Sequence, residues 1–552
     1  MLPIQTLPAV FAATLVSGLS TSSQIPLQYA PKIDGAWENL GLKPSPNDTA
    51  PLIFDTVNSL LQHWPNTRYR NGHTVVPGTI PIGTLLYHGR ADSSLPDAPD
   101  WTAVDPEHSF PFCGSPGLLN GNASAPGCWH LTIAVTRPLK VLYFDGSSAV
   151  NMKFGTLDSQ DLLLWGEVRP DMWLAERKRI DGLCAWGKQL GVDAYVRMEM
   201  DFEVMLCDFH SGVKLVSADY LTGWWPSRMP PPAFDLSAPP PASIPEDLRR
   251  IMEIVSLETV RGGSWHNRYP GDTRISLDLS KLVSFYDTEL VPSLIPHRTQ
   301  TERWDHRLQN ISTEDVEAVT ARVRAVLSDE ESESVGSGVD WKTLYRVVVD
   351  RYADRLELLQ HLLHTLPPST EIEQHARTVQ MQLRIMLAVY IPAGLRPSEN
   401  EGDSTWAAPV WRACATRHTA PIHELLSLIP SERTLLNALD GTQREICRVV
   451  VGMWERGVRA GLDMLFPSES PVALDPGVIL RKWKRDADAL VTWLDWSVWV
   501  KCLPACGPEE MCYLPTWPYF FRRLDDSEDD PEFSWKRPQP RCVRQVAPYE
   551  RL

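Results

Sequence analysis

The stretch RMEMDFEVML, from Arg197 to Leu206, decides how the first half of this chain is read. Arg197, Glu199, Asp201 and Glu203 alternate with Met198, Met200, Phe202, Val204 and Leu206, and a strand sends successive side chains to opposite faces. The pattern predicts one strand with three carboxylates on a water-facing side and a core on the other. Working outward, GTLLYHG from Gly83, HLTIAVT from His130 and KVLYFDG from Lys140 are rich in β-branched and aromatic residues and bounded by Gly, Pro or Asp, so they also read as strands. Between the last of these and Tyr195, the residues Met172, Leu174, Ile180, Leu183 and Trp186 fit an amphipathic helix that stops at Gly191. The first half is therefore an N-terminal mixed α/β domain.

Proline triplets at 230–232 and 239–241 stiffen the segment from Met229 to Pro245 toward polyproline II, which places a linker there. Beyond it the apolar spacing turns helical. Asp340 caps a helix from Trp341 to Leu366, and Val316–Leu327, Ala376–Tyr390, Glu432–Leu439, Gln443–Phe466 and Ile479–Lys501 read as helices on the same grounds. The expected organisation is a multidomain α+β protein: a signal peptide at 1–23, an α+β domain at 24–228, the linker at 229–245, a mainly α-helical domain at 246–501 and a short Cys-rich C-terminal segment at 502–552.

Compartment follows from the first residues and the cysteines. Pro8 to Leu19 is an apolar run too short to span a bilayer, followed by a polar Ser20 to Gln24, which has the proportions of a cleaved secretory signal. Sequons at Asn47, Asn122 and Asn310 agree with that route. Ten cysteines in a secreted chain read first as disulfides. Cys113 and Cys128 bracket a Gly/Asn/Ser-rich loop and are expected to pair. Cys502, Cys506, Cys512 and Cys542 are expected to pair among themselves, with four thiolates on zinc as the alternative. Cys184, Cys207, Cys414 and Cys447 remain. The expected location is extracellular or the secretory lumen.

Several functions lose their footing in the composition. Lys and Arg total 53 against 69 Asp and Glu, a formal charge of −16, whereas phosphate backbones require a basic surface. Nucleic acid is not an expected partner, and no integral membrane span is expected. There is no G-x-x-x-x-G-K-[ST], no G-x-G-x-x-G opening a helix, no H-E-x-x-H and no G-x-S-x-G. No metal site is predicted.

One set of residues carries chemistry. GTLLYHGR (Gly83 to Arg90), WTAVDPEHSFPF (Trp101 to Phe112) and the acidic stretch ending in Glu203 follow an order that resembles the ADP-ribosyltransferase fold, with its Tyr-His-Gly strand, its Ser/Thr strand and its late strand Glu. The resemblance implies that His88, or Arg90, would hold NAD, that Thr102 would fill the Ser/Thr position and that Glu203 would be the catalytic acid. Asp201 stands two residues before it, where arginine-modifying members carry Glu or Gln. Loss of nicotinamide builds positive charge on the ribose, which a carboxylate on its 2′-OH would stabilise. NAD would be the substrate, and a protein acceptor the implied partner. GTLDSQDLLLWG (Gly155 to Gly166), VDWKTLYRVVVDRYADRLELLQHLL and CLPACGPEEMCYLPTWP also look like secreted fungal proteins of unassigned function, a resemblance that implies compartment and architecture but no reaction. Two functions are thus in play: ADP-ribosyl transfer or NAD hydrolysis, and a non-enzymatic extracellular binding or structural protein.

Overall fold

The computed structural model describes residue 37 and residues 39–113, 128–222, 246–299, 301–328, 336–365, 367–398, 403–466, 475–515 and 537–549. The expected signal peptide and the expected linker at 229–245 lie outside the described residues.

The first half is built on a ten-stranded sheet: β1 (Thr74–Ile80), β2 (Leu85–Arg90), β3 (Asp100–Ala103), β4 (Cys128–Val135), β5 (Leu139–Phe144), β6 (Ala194–Met198), β7 (Phe202–Leu206), β8 (Val213–Leu221), β9 (Ser276–Leu277) and β10 (Val283–Ser284). Their spatial order is β10-β1-β5-β6-β7-β3-β2-β4-β8, with β9 also on β1. Only β5 and β6 run parallel among these pairs. Helices α1 (Ala50–Ser59), α2 (His63–Arg68), α3 (Pro106–Ser109), α4 (Asp158–Trp165) and α5 (Glu176–Gly187) accompany it. The region from Met172 is helical only over α5 and a following turn, and Gly191 ends it at a φ of 67°, which favours glycine.

From residue 246 onward come α6 (Glu246–Gly262), α7 (Ile295–Arg298), α8 (Thr313–Leu327), α9 (Trp341–His364), α10 (Ile372–Leu387), α11 (Ala408–Thr416), α12 (Ala420–Leu425), α13 (Pro430–Arg459) and α14 (Pro476–Leu494), then a hairpin of β11 (Glu510–Tyr513) and β12 (Arg541–Arg544). Asp340 caps α9 by accepting from the Thr343 amide, as expected. The two helices expected at 432–439 and 443–466 are one helix, α13, which ends at Arg459 rather than at Phe466. Gly441 lies inside it, where α1 packs so close that an added Cβ would stand 2.8 Å from the Ala50 Cβ.

Three layers result. Val75, Leu142, Phe144, Tyr195 and Met205 face one side of the sheet and pack with Leu162, Ile180, Leu183, Val319 and Val323 of α4, α5 and α8. Val76, Val141, Tyr143, Val196 and Val204 face the other side, in one continuous apolar cluster with Phe54 of α1 and with α9, α10, α11, α13 and α14. Burial on both faces explains why β6 and β7 are apolar enough to sit mid-sheet. Elements cross the 229–245 segment in both directions: β9 and β10 pair with β1, and the Phe54 ring stacks on Tyr345 at 4.8 Å and on Trp496 at 5.4 Å.

Five disulfides brace the molecule: Cys113–Cys128, Cys184–Cys207, Cys414–Cys447, Cys502–Cys512 and Cys506–Cys542. The first pair and the internal pairing of the last four agree with expectation, and those four thiols are therefore not zinc ligands. The disulfides are compatible with an extracellular or secretory location. Among the described residues no helix is long and apolar enough to cross a membrane.

Candidate functional site

The decisive stretch is a hairpin, not one strand. β6 ends at Met198 and β7 begins at Phe202, with Glu199, Met200 and Asp201 as the turn and the Glu199 amide donating to the Asp201 carbonyl at 3.0 Å. Arg197 pairs directly across the hairpin with Glu203. The acidic side is not water-facing either: Arg197 is 1% exposed, Glu199 6%, Asp201 0% and Glu203 8%. Residues of α4 and α5 meet Arg197, while α3 and the turn after α6 meet Glu199 and Asp201, so each charge has to find a partner inside the protein.

Arg197 supplies the partner for Glu203. Its Nε donates to Glu203 Oε1 at 2.8 Å, its Nη1 to Gln160 at 3.0 Å and its Nη2 to Glu176 at 2.8 Å. Glu176 also receives Arg179, which reaches on to Asp161 at 2.9 Å. Burial pushes the Glu203 carboxyl up to about 7 against the pull of Arg197. For Glu176 burial acts in the same upward direction, but Arg197 and Arg179 together hold it below its ordinary value.

The register divides the residues expected to act on NAD. Tyr87 stands opposite Ala103 and Ala103 opposite Glu203, so these share a row with Arg197. Thr102 stands opposite Val204 in the adjacent row, as does His88 on β2. Adjacent rows face opposite sides. The register thus puts His88 and Thr102 on one face of the sheet and Glu203 on the other. His88 Nδ1 lies 2.6 Å from the Trp101 carbonyl and its ring packs on Phe209. Burial lowers its basicity, against Asp100. The Thr102 hydroxyl donates to the Val204 carbonyl at 2.9 Å. Arg90 turns to Asp92 at 2.7 Å.

A denser constellation sits at the hairpin tip. Asp201 contacts His266 (Oδ1 to Nε2, 2.8 Å), and the same nitrogen is 3.5 Å from Asp105 Oδ2. His266 lies in the 3-10 turn that follows α6, and Asp105 in the residue before α3. Arg274 grips both oxygens of Asp105, at 2.8 and 2.7 Å, and also Asp272 at 2.7 Å. His108 of α3 meets Glu199 at 2.9 Å. His63, at the start of α2, places its ring centre 6.3 Å from that of His266.

Opposed effects tune these groups. Burial works against a charged His108, but the hydrogen bond and charge of Glu199, with Asp201 and Glu203 behind, push it up to about 9. His266 reaches about 9 in the same way through Asp201 and Asp105. His63 is pushed down to about 3 by burial and by the two charged imidazoles. Burial raises Asp201, whereas for Asp105 the His266 and Arg274 contacts outweigh burial and hold it below the carboxylate range. Sequence reasoning read Asp105 and His108 only as a helix start and left His63 and His266 aside. The one signal was the Gly262-Gly263 pair before Trp265-His266: a Cβ on Gly263 would stand 2.9 Å from the Asp201 carboxyl carbon.

Fold and site together define a disulfide-braced α+β protein with a closed, charged interior. Residues 42–128 and 127–224 match the family described as the YPL277C N-terminal domain. The chain is 24% identical over 556 residues to "Uncharacterized protein YOR389W" of Saccharomyces cerevisiae, covering 85% of this chain and 82% of that one. It is 26% identical over 395 residues to "Uncharacterized protein YPL277C" of the same yeast, covering 58% of this chain and 76% of the relative. No solved structure matches. The chain is similar, then, to fungal proteins of unassigned function.

Proposed function

We propose that this chain is a non-enzymatic extracellular binding or structural protein rather than an NAD-consuming transferase. The observation that carries the reading is sidedness. His88 and Thr102 share one face of the sheet, while Glu203 lies on the other and is engaged by Arg197. A carboxylate that must oppose a growing ribosyl cation has to sit beside the bound nucleotide. One that is buried against its own arginine instead joins sheet to helices. The five disulfides fit a protein whose task is to persist outside the cell.

The test is incubation of the folded full chain with NAD, following nicotinamide release and measuring NAD binding by calorimetry. Neither is expected. Release by the wild-type protein that falls by about 10² or more in Glu203→Gln would overturn the reading and favour transfer.

A further inference from the structure

The hairpin tip gathers four carboxylates in the interior against three cationic side chains, Arg274, His108 and His266. Asp201 and Asp272 are fully buried, and Asp105 and Glu199 are 8% and 6% exposed. The one guanidinium among these four carboxylates is Arg274, which is shared by Asp105 and Asp272. Asp201 Oδ2 is buried without a hydrogen bond. Buried carboxylates without matching donors are costly.

The donor atoms of Asp105, Asp201 and His266 all lie within 4.8 Å of one another. A tetrahedral ion with ligands about 2.0–2.2 Å away holds its donors ~3.4 Å apart. The 3.5 Å from His266 Nε2 to Asp105 already fits, and the 2.8 Å to Asp201 needs only a small opening. The three ligands come from three separate segments, and Gly263 lets its backbone pack directly against the Asp201 carboxylate, where a Cβ would stand 2.9 Å from the carboxyl carbon.

The geometry points to a divalent transition-metal site of the zinc class, with Asp105, Asp201 and His266 as ligands. An imidazole with carboxylates suits Zn²⁺, whereas Ca²⁺ and Mg²⁺ prefer oxygen alone. Arg274, which holds Asp105 by both oxygens, then orients that ligand, as groups around metal sites do. The cysteines do not compete, since all five pairs are oxidised. This site is independent of the binding-protein reading above, because it reads an ion and not a nucleotide.

The experiment is calorimetric titration of Zn²⁺ into the folded, chelator-treated full chain, with Ca²⁺ as a parallel probe. One equivalent of Zn²⁺ is expected to bind in the micromolar range or tighter, with Ca²⁺ at least about 10-fold weaker. Asp201→Asn and His266→Gln should each weaken Zn²⁺ at least about 10-fold, whereas His364→Ala, on the surface of α9, should not. Should a ligand variant fail to fold, the wild-type protein still decides: bound Co²⁺ must give the ligand-field bands of a low-coordinate N/O site. No Zn²⁺ uptake by wild type, no such bands, or unchanged affinity in a folded ligand variant overturns the site.

Discussion

Replacing Arg197 with Met tests the account of the hairpin most directly. The side chain is 1% exposed and makes charged contacts with Glu203 and Glu176 and a further bond to Gln160. Methionine keeps much of the volume and removes the cation. Glu176 still has Arg179, but Glu203 is left buried without its hydrogen-bonded countercharge. Breaking a buried pair by deleting one partner costs about 3–5 kcal/mol. At ~1.4 kcal/mol per factor of ten, the amides of β6 and β7 should exchange roughly 10²- to 10⁴-fold faster if local opening limits their exchange. Hydrogen exchange followed by mass spectrometry on peptides covering 194–206 reads this without assuming that so long a chain unfolds in one step. The loss should be larger at pH 8 than at pH 5, since a protonated Glu203 needs no countercharge. Adding Glu203→Gln to Arg197→Met should recover part of the protection, giving non-additive effects. Exchange within tenfold of wild type, or simple additivity, would refute a buried ion pair and return the acidic side to water.

Two further outcomes follow from other buried carboxyls. Burial pushes Asp145 up to about 7, against the bond it accepts from the Thr74 amide. Below about pH 4 the group is protonated folded and unfolded alike; between about 4 and 7 only the unfolded chain ionises, so stability falls as pH rises, by about 4 kcal/mol in all, and then levels off. Asp145→Asn should therefore flatten the urea midpoint between pH 4.5 and 8 relative to wild type, and an unchanged slope would contradict the assignment. In the bundle, Glu432 is 0% exposed and accepts from the Ser337 amide at 3.0 Å and from Trp341 Nε1 at 3.1 Å. Glu432→Ala strands both donors and should cost about 3 kcal/mol in denaturant unfolding followed by helical circular dichroism, with Trp341→Phe costing less.

The helices were legible because their signals are local. Asp340 caps α9 as its position implies, and Leu344, Val348, Tyr352, Leu356 and Leu359 keep the spacing of a helix face. The hairpin was not legible, for a geometric reason. A turn of three residues returns the chain with its parity intact, so 197 and 203 share a face and strict alternation runs through the bend unmarked. Nor does Glu-Met-Asp carry the Gly, Asn or Pro that announces a turn. The turn is held by His108 on Glu199 and His266 on Asp201, partners about 90 and 65 residues away that no local pattern can show. The same holds for the whole tip cluster, which gathers residues from 63 to 274.

The pairing of β9 and β10 with β1 has a consequence for how the molecule is made. The outer edge of β1, complete once Ile80 has left the ribosome, gains its partners only when residues 276–284 emerge. At about 5–20 residues per second that is an interval of roughly 10 to 40 s. Throughout it the nascent sheet presents an unpaired edge, the feature through which strands of different chains join. Closure of that edge therefore waits on residues about 200 positions further along the chain.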